Sequence, residues 1–255
     1  MKIASWNVNS LRVRLPHVLE WVASYQPDFL CLQETKLQDD DFPTAEIHAA
    51  GYHVVYAGQR TYNGVAILSK VEAAEVATGF PGFEDEQRRV LAATFDALRI
   101  LNVYVPNGQS VESDKYQYKL EWLSHLHDYI AAQLEQYPEF VLLGDFNIAP
   151  EERDVHDPEA WAGKVLFSEP EREAFRGLLD LGLHDTFRER APDAQAYSWW
   201  DYRAAAFRRN LGLRIDHVLC SPALVARLAA ASIDVAPRKL ERPSDHAPAV
   251  AEFTG

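Results

Sequence analysis

The chain has 255 residues, 47% of them apolar and 25% charged, enough to bury one sizeable core. Its formal net charge of −13 at pH 7 argues against a protein that coats polyanions by overall attraction, which needs a basic surface. No apolar run approaches the roughly 18 residues of a membrane span, and no basic-then-apolar leader opens the chain. Cys31 and Cys220 lie in apolar, strand-like runs, so a cytoplasmic protein with reduced thiols and no membrane partner is expected.

Strand-like runs alternate with helical ones. A strand from Lys2 precedes a helix at 16–25, and a strand at 28–33 precedes a short helix at 43–50. β-rich segments follow at 52–56, 64–69, 89–95 and 99–105. Tyr116, Leu120, Leu123, Ile130 and Leu134 mark one face of a long helix starting after Ser113, which feeds a strand ending at Asp145. The stretch 145–167 reads mostly as loop, bracketed by Asp157-Pro158, an N-cap followed by Pro, and by the Ser168/Glu171 capping box of a helix through Leu181. An aromatic stretch at 197–202, a basic loop, and strands near 214–220, 230–235 and 247–253 complete the chain. Strands in blocks with helices between them predict an α/β fold of two packed sheets covered by helices. One domain over 1–255 is expected, because the candidate site residues run from Asn7 to His246 and only one unit gathers them.

Those candidates stand where apolar runs end. Asn7 follows Ile3 to Trp6, Glu34 follows Phe29 to Gln33, Tyr104 follows Ile100 to Val103, Asp145 and Asn147 follow Phe140 to Gly144, Asp216 follows Leu213 to Ile215, and Asp245-His246 opens the last strand. Polar residues at strand ends are the usual location of an active site in α/β folds. Carboxylates with amides, one imidazole and one phenol suit a hard divalent cation and a phosphate, whereas zinc favours more His and Cys. In-line attack on a phosphodiester builds charge on the phosphoryl oxygens and the leaving alkoxide, so a cation and aimed donors are needed. Glu34 can hold the cation while Asn7, Asn147, Tyr104 and protonated His246 donate; Asp145 or the Asp216-His246 pair can take the proton from water. Taken singly, a strand Tyr or a buried His is more often packing or a satisfied hydrogen bond. Arg88-Arg89, Lys115 with Lys119, Arg203 with Arg208-Arg209, and Arg238-Lys239 with Arg242 could form a positive face, although each cluster alone reads equally as solvated charge.

The segments SWNVNSLR from Ser5, LQETK from Leu32, YNGVAILS from Tyr62, NVYVPNG from Asn102, LLGDFNIAP from Leu142, SWWDYR from Ser198, GLRIDHVL from Gly212 and SDHAP from Ser244 together resemble the exonuclease III family of the endonuclease/exonuclease/phosphatase fold, in the family's order and over nearly the whole length. The resemblance implies a four-layer α/β sandwich, two mixed β-sheets packed face to face and flanked by helices. It implies a Mg²⁺ or Mn²⁺ requirement and hydrolysis of DNA phosphodiesters or 3′ phosphoesters. The substrate would be double-stranded DNA with abasic sites, nicks, or recessed or blocked 3′ ends. It makes Glu34 the principal metal ligand with Asn7 close by and Asp245 at a second position, and Asp216 the partner that orients His246. Asp145, Asn147 and Tyr104 would face the water, the phosphate or the leaving oxygen, and Asn107 the substrate. Trp199, Leu213 and Ile215 match the apolar pocket for a sugar lacking its base, which excludes normal nucleotides by size. Arg203, Arg208 and Arg209 would run along DNA phosphates, with Tyr62, Lys36 and Arg12 as weaker contact candidates.

Two departures stand out. Where strong abasic-site endonucleases of the family have a small residue before the capped helix, this chain has Val165-Leu166-Phe167; bulky Leu166 is expected to narrow the groove and favour 3′-end processing. Leu213 stands where some relatives carry Trp, which should loosen discrimination in the pocket. The alternatives are a phosphoesterase of this fold acting on a non-DNA substrate, and a catalytically silent nucleic-acid-binding regulator. A monomer is expected, because no long apolar seam is left outside the core.

Overall fold

Most strands of this chain are apolar at nearly every position rather than at alternate ones. Such a strand is buried on both faces, so it lies between a helical layer and a second sheet. In the computed structural model, which describes residues 1–255, β1 (Lys2–Asn7) leads through α1 (Leu11–Tyr25) to β2 (Phe29–Gln33), α2 (Thr44–Ala49), β3 (His53–Ala57), β4 (Val65–Ser69), β5 (Glu75–Thr78), β6 (Val90–Phe95) and β7 (Leu98–Tyr104). There follow α3 (Asp114–Gln136), β8 (Glu139–Asp145), α4 (Pro158–Trp161), α5 (Glu169–Asp180), β9 (His184–Asp185), α6 (Thr186–Arg190), β10 (Asp216–Cys220), α7 (Pro222–Val225), β11 (Leu228–Ile233) and β12 (Ala249–Phe253).

The strands form two six-stranded mixed sheets, ordered β11-β12-β1-β2-β4-β3 and β5-β6-β7-β8-β10-β9. Ile3, Phe29, Cys31 and Ile67 of the first sheet meet Leu91, Ile100, Val141, Leu143 and Val218 of the second in a shared core. The alternate residues face outward. Ala4, Trp6, Leu30 and Leu32 pack under Val18, Trp21 and Val22 of α1 and Ile47 of α2. Leu101, Val103, Phe140 and Leu142 pack under Trp122, Leu126 and Ile130 of α3 and Phe175 and Leu178 of α5. The result is the four-layer sandwich that the family resemblance implies.

Period-two geometry then decides what stands at the rim. Since Ile3, Ile100 and Val141 point between the sheets, so do Asn7, Tyr104 and Asp145 at the ends of the same strands. β1 pairs parallel with β2, and β7 with β8, so these ends share one edge of the sandwich. β10 runs antiparallel to β8 with Asp216 opposite Asp145, and β12 runs antiparallel to β1, which brings the start of each to that edge.

A polar bridge ties the two sheets together just below the rim. Buried Gln33 donates through Nε2 to Asn102 Oδ1 at 2.7 Å, and Asn102 Nδ2 donates to the Leu32 and Ala66 carbonyls at 3.0 and 2.9 Å. Gly144 is fixed by space: a Cβ there would lie 1.9 Å from the Val103 carbonyl oxygen.

Several boundaries differ from the sequence expectation. α1 starts at Leu11 rather than at residue 16 and runs through Pro16. That proline is exposed and sits in the second turn, where it removes only the donor to the Arg12 carbonyl. β5 and β9 had no expected counterpart: β5 is an exposed edge strand and β9 has two residues. The capping box of α5 and the Asp157 cap of α4 both form. Cys31 and Cys220 are free and buried, as expected.

Candidate active site

Glu34, the first residue beyond β2, has a left-handed backbone (φ 52°) that turns its carboxylate over the rim. Asn7 Nδ2 donates to Glu34 Oε1 and to Asp145 Oδ2, each at 2.9 Å. Asp145 Oδ1 accepts from the Asn147 amide at 2.9 Å. Asn147, also left-handed (φ 49°), presents Oδ1 to Asn107 Nδ2 at 3.1 Å. His246 Nδ1 lies 2.8 Å from Asp216 Oδ2, and its Nε2 faces Asp145 Oδ2 at 3.8 Å. Tyr104 lies close enough to Glu34 and Asp145 for both carboxylates to act on its phenol. Thus Asn7, Glu34, Tyr104, Asn107, Asp145, Asn147, Asp216 and His246 all converge, while Asp245 stands to one side, accepting from Asn9 Nδ2 and Trp199 Nε1 at 3.0 Å each.

The electrostatics follow from this crowding. Burial raises Asp145, and the charges of Asp216 and Glu34 raise it further against the pull of His246 and Asn7. Burial would lower His246, but the Asp216 and Asp145 carboxylates override it and hold the ring protonated. Tyr104 is pushed well above its ordinary value by burial and by the carboxylates of Glu34 and Asp145. Burial would raise Asp245, yet His246, Trp199 and Asn9 bring it below the usual range.

Ligand atoms of Glu34, Asp145 and His246 lie within 4.8 Å of one another. Lys36 Nζ sits 2.9 Å from Glu34 Oε2, and Asp216 Oδ1 is buried without any partner. A group rich in hard oxygen donors and short of positive charge fits a hard divalent cation, with Glu34 as its anionic anchor.

Beside this group, Leu166, Leu213 and Ile215 form a buried apolar cluster with Ala149, Val155 and Phe167, against which Trp199 packs. Trp199 bridges to both Leu213 and His246 through its backbone, so the apolar wall abuts the Asp216–His246 pair. Leu166 has a left-handed backbone (φ 76°). Arg203, Arg208, Arg209, Arg12 and Tyr62 are exposed.

The positive-face expectation needs correction at three positions. Lys119 is buried and paired with Glu171. Arg238 is buried with its guanidinium 4.7 Å from the centre of the Phe207 ring, and it donates to the Ser244 carbonyl. Arg89 lies over the Tyr104 ring at 4.6 Å. Their apolar stems pack inward, with the two guanidinium planes on rings and the ammonium on a carboxylate, a choice invisible in a list of charges.

Sequence reasoning missed Asn9 and Ser198. Asn9 joins Asp245 to Lys36, whose Nζ donates to Asn9 Oδ1 at 2.6 Å. Ser198 Oγ donates to Asp216 Oδ2 at 2.6 Å and accepts the Ile215 and Asp216 amides. Both lie inside matched segments, so their neighbours drew attention first.

Two packed mixed sheets whose shared rim gathers carboxylates, amides and an imidazole define an α/β phosphoesterase-type site. The chain belongs to the endonuclease/exonuclease/phosphatase family, whose model matches residues 4–246. Within it the chain is of the exonuclease III type: it is 39% identical to an exodeoxyribonuclease III of Haemophilus influenzae, over 99% of this chain and 100% of that protein. Its structure is similar to that of a Neisseria 3′ phosphatase, NExo, bound to a product DNA hairpin, with TM-score 0.99, 49% identity and full coverage of both chains. An AP endonuclease from Archaeoglobus fulgidus aligns with TM-score 0.97 and 40% identity, again over both whole chains.

Proposed function

We propose that this protein is a divalent-metal-dependent DNA-repair nuclease that removes 3′ phosphates, 3′ blocking groups and 3′ nucleotides from double-stranded DNA, and incises abasic sites less readily. The observation that carries the reading is the Asp216–His246–Asp145 arrangement, with Nδ1 of the imidazole 2.8 Å from one carboxylate and Nε2 facing the other. His246, held as an imidazolium between two acids, donates to a phosphoryl oxygen. Asp216 fixes its ring. Asp145, oriented by the Asn147 amide and Asn7, takes the proton from the attacking water, and Asn147 with Asn107 aligns the phosphate. Glu34 and Asn7 would hold Mg²⁺ or Mn²⁺, and a bound cation would offset charge on the phosphate and the leaving oxygen. Tyr104, kept protonated, supplies a further donor.

Trp199, Leu213 and Ile215 line the pocket for a sugar without its base, and Leu166 closes one side of it. Arg203, Arg208 and Arg209 serve the DNA backbone. Asp245 acts through Asn9 and Lys36 rather than at the Glu34 group itself. A monomer in the cytoplasm is the inferred setting, which two free buried thiols suit; no helix is long and apolar enough to cross a membrane.

The deciding experiment digests an internal abasic-site duplex and a 3′-phosphate duplex side by side, with Mg²⁺ and with EDTA. Metal-dependent release of phosphate, faster than internal incision, is expected. Equal or faster internal incision would make the protein a full abasic endonuclease, and no metal-dependent cleavage of either duplex would overturn the reading.

A further inference from the structure

We infer that the buried Lys119–Glu171 pair is a positioning device that holds, through backbone hydrogen bonds, the three loops presenting Asn107, Asn147 and Leu166 to the substrate; this rests on the function proposed above.

Neither side chain has any exposed surface. Lys119 Nζ, 2.5 Å from Glu171 Oε1, also donates to the Asn147 carbonyl at 2.7 Å and to the Asn107 carbonyl at 3.2 Å. Glu171 Oε1 in turn accepts the Leu166 amide at 3.0 Å, while Oε2 accepts the Ser168 amide at 3.0 Å and the Ser168 hydroxyl at 2.6 Å. One ion pair thus bonds to the backbone of a residue on the loop after β7, another after β8, and a third before α5.

Two of those residues, Asn147 and Leu166, have left-handed backbones, which non-glycine residues keep only when their surroundings enforce it. Gly108 explains how the first loop approaches: a Cβ there would meet the Lys119 stem and Val165, each at 3.2 Å. The side chains of Asn107 and Asn147 are joined at 3.1 Å, so a shift of either carbonyl moves the pair that faces the phosphate. A buried ion pair adds little net stability, because desolvating two charges offsets much of their attraction. Its value here is that three donors on one ammonium and four accepted bonds on one carboxylate fix three segments at once.

The test compares the wild-type protein with Lys119→Met, Glu171→Gln and the charge-free double variant Lys119→Gln/Glu171→Gln, the last leaving no unpaired buried charge. Three quantities are measured: thermal unfolding, kcat and KM for 3′-phosphate release, and amide hydrogen exchange over 105–109, 145–149 and 164–168. Expected are joint loss of protection in all three segments and a fall in kcat of about tenfold or more, with KM within about threefold, at temperatures where each variant is folded. Glu171→Gln should also shift the ratio of internal abasic incision to 3′ release, because it loosens Leu166. Unchanged kcat in folded variants, or deprotection confined to the start of α5, would overturn the inference. If the wild-type protein has no activity on DNA, the functional reading fails, and the exchange pattern alone decides whether the pair fixes the three loops.

Discussion

Asp216 Oδ2 is bonded both by His246 and by Ser198, so its orientation is set twice. Asp216→Asn should therefore leave the fold and DNA affinity nearly intact while lowering kcat about 10²- to 10⁴-fold, the usual span for losing one acid–base partner. A drop appearing in affinity instead would assign Asp216 to binding. Leu166 combines a strained backbone with a side chain buried against Leu213 and Ile215. Leu166→Gly should raise internal abasic incision relative to 3′-phosphate release by about tenfold, which paired single-turnover assays would read. An unchanged ratio would discard the groove-narrowing role. His217 offers a different test. Arg214 donates to its Nδ1 at 3.1 Å and its Nε2–H donates to the Ile148 carbonyl at 2.9 Å, so the folded ring is neutral. Burial first and the Arg214 charge second lower it from 6.5 to about 4. The unfolded chain gains that proton near pH 6.5 and the folded one only near 4, so this stabilisation is complete above pH 6.5 and lost as pH falls toward 4. The loss should be on the order of 3 kcal/mol. Urea midpoints across that window should fall less steeply for His217→Gln than for the wild-type chain.

At the scale of elements, β8 is the strand on which the site depends most, because it carries Asp145 and pairs with both β7 and β10. Gly144→Ala would press a methyl into the Val103 carbonyl and should cost about 3 kcal/mol, visible as a lowered melting temperature. The end of this strand was legible in the sequence, since an apolar run followed by Gly-Asp-Phe-Asn has one plausible reading. The capping box at Ser168 was legible for the same reason: a local rule with few competitors. β5 escaped because all four of its residues are exposed and no burial pattern marks it, and β9 because two residues make no pattern at all. The true start of α1 was hidden by a rule that is usually right, namely that Pro opens a helix. The site residues at strand ends could be listed from sequence; that Lys119 turns inward could not, since its acid partner lies 52 residues away.

For the molecule as a whole, the relative placement of the sheets matters more than either sheet alone. Asn7 and Glu34 extend from the first sheet, and Tyr104, Asp145 and Asp216 from the second. The Gln33–Asn102 bridge fixes their registry a few residues below the rim. Asn102→Ala leaves the Gln33 amide only Ser5 Oγ and the Cys31 carbonyl as acceptors and takes a donor from two further carbonyls; a loss of about 2 kcal/mol is expected, with a fall in kcat even where the variant is fully folded. Retained kcat in the folded variant would mean that apolar packing aligns the sheets unaided.

Because these groups are divided across the seam between the sheets, and the first sheet itself joins the two ends of the chain, neither sheet alone holds the whole set. Catalysis is therefore a readout of tertiary assembly. In a denaturation series the activity should vanish with the sandwich and not before it, and a nascent or clipped chain that has completed only one sheet would be harmless to DNA until the other closes over it.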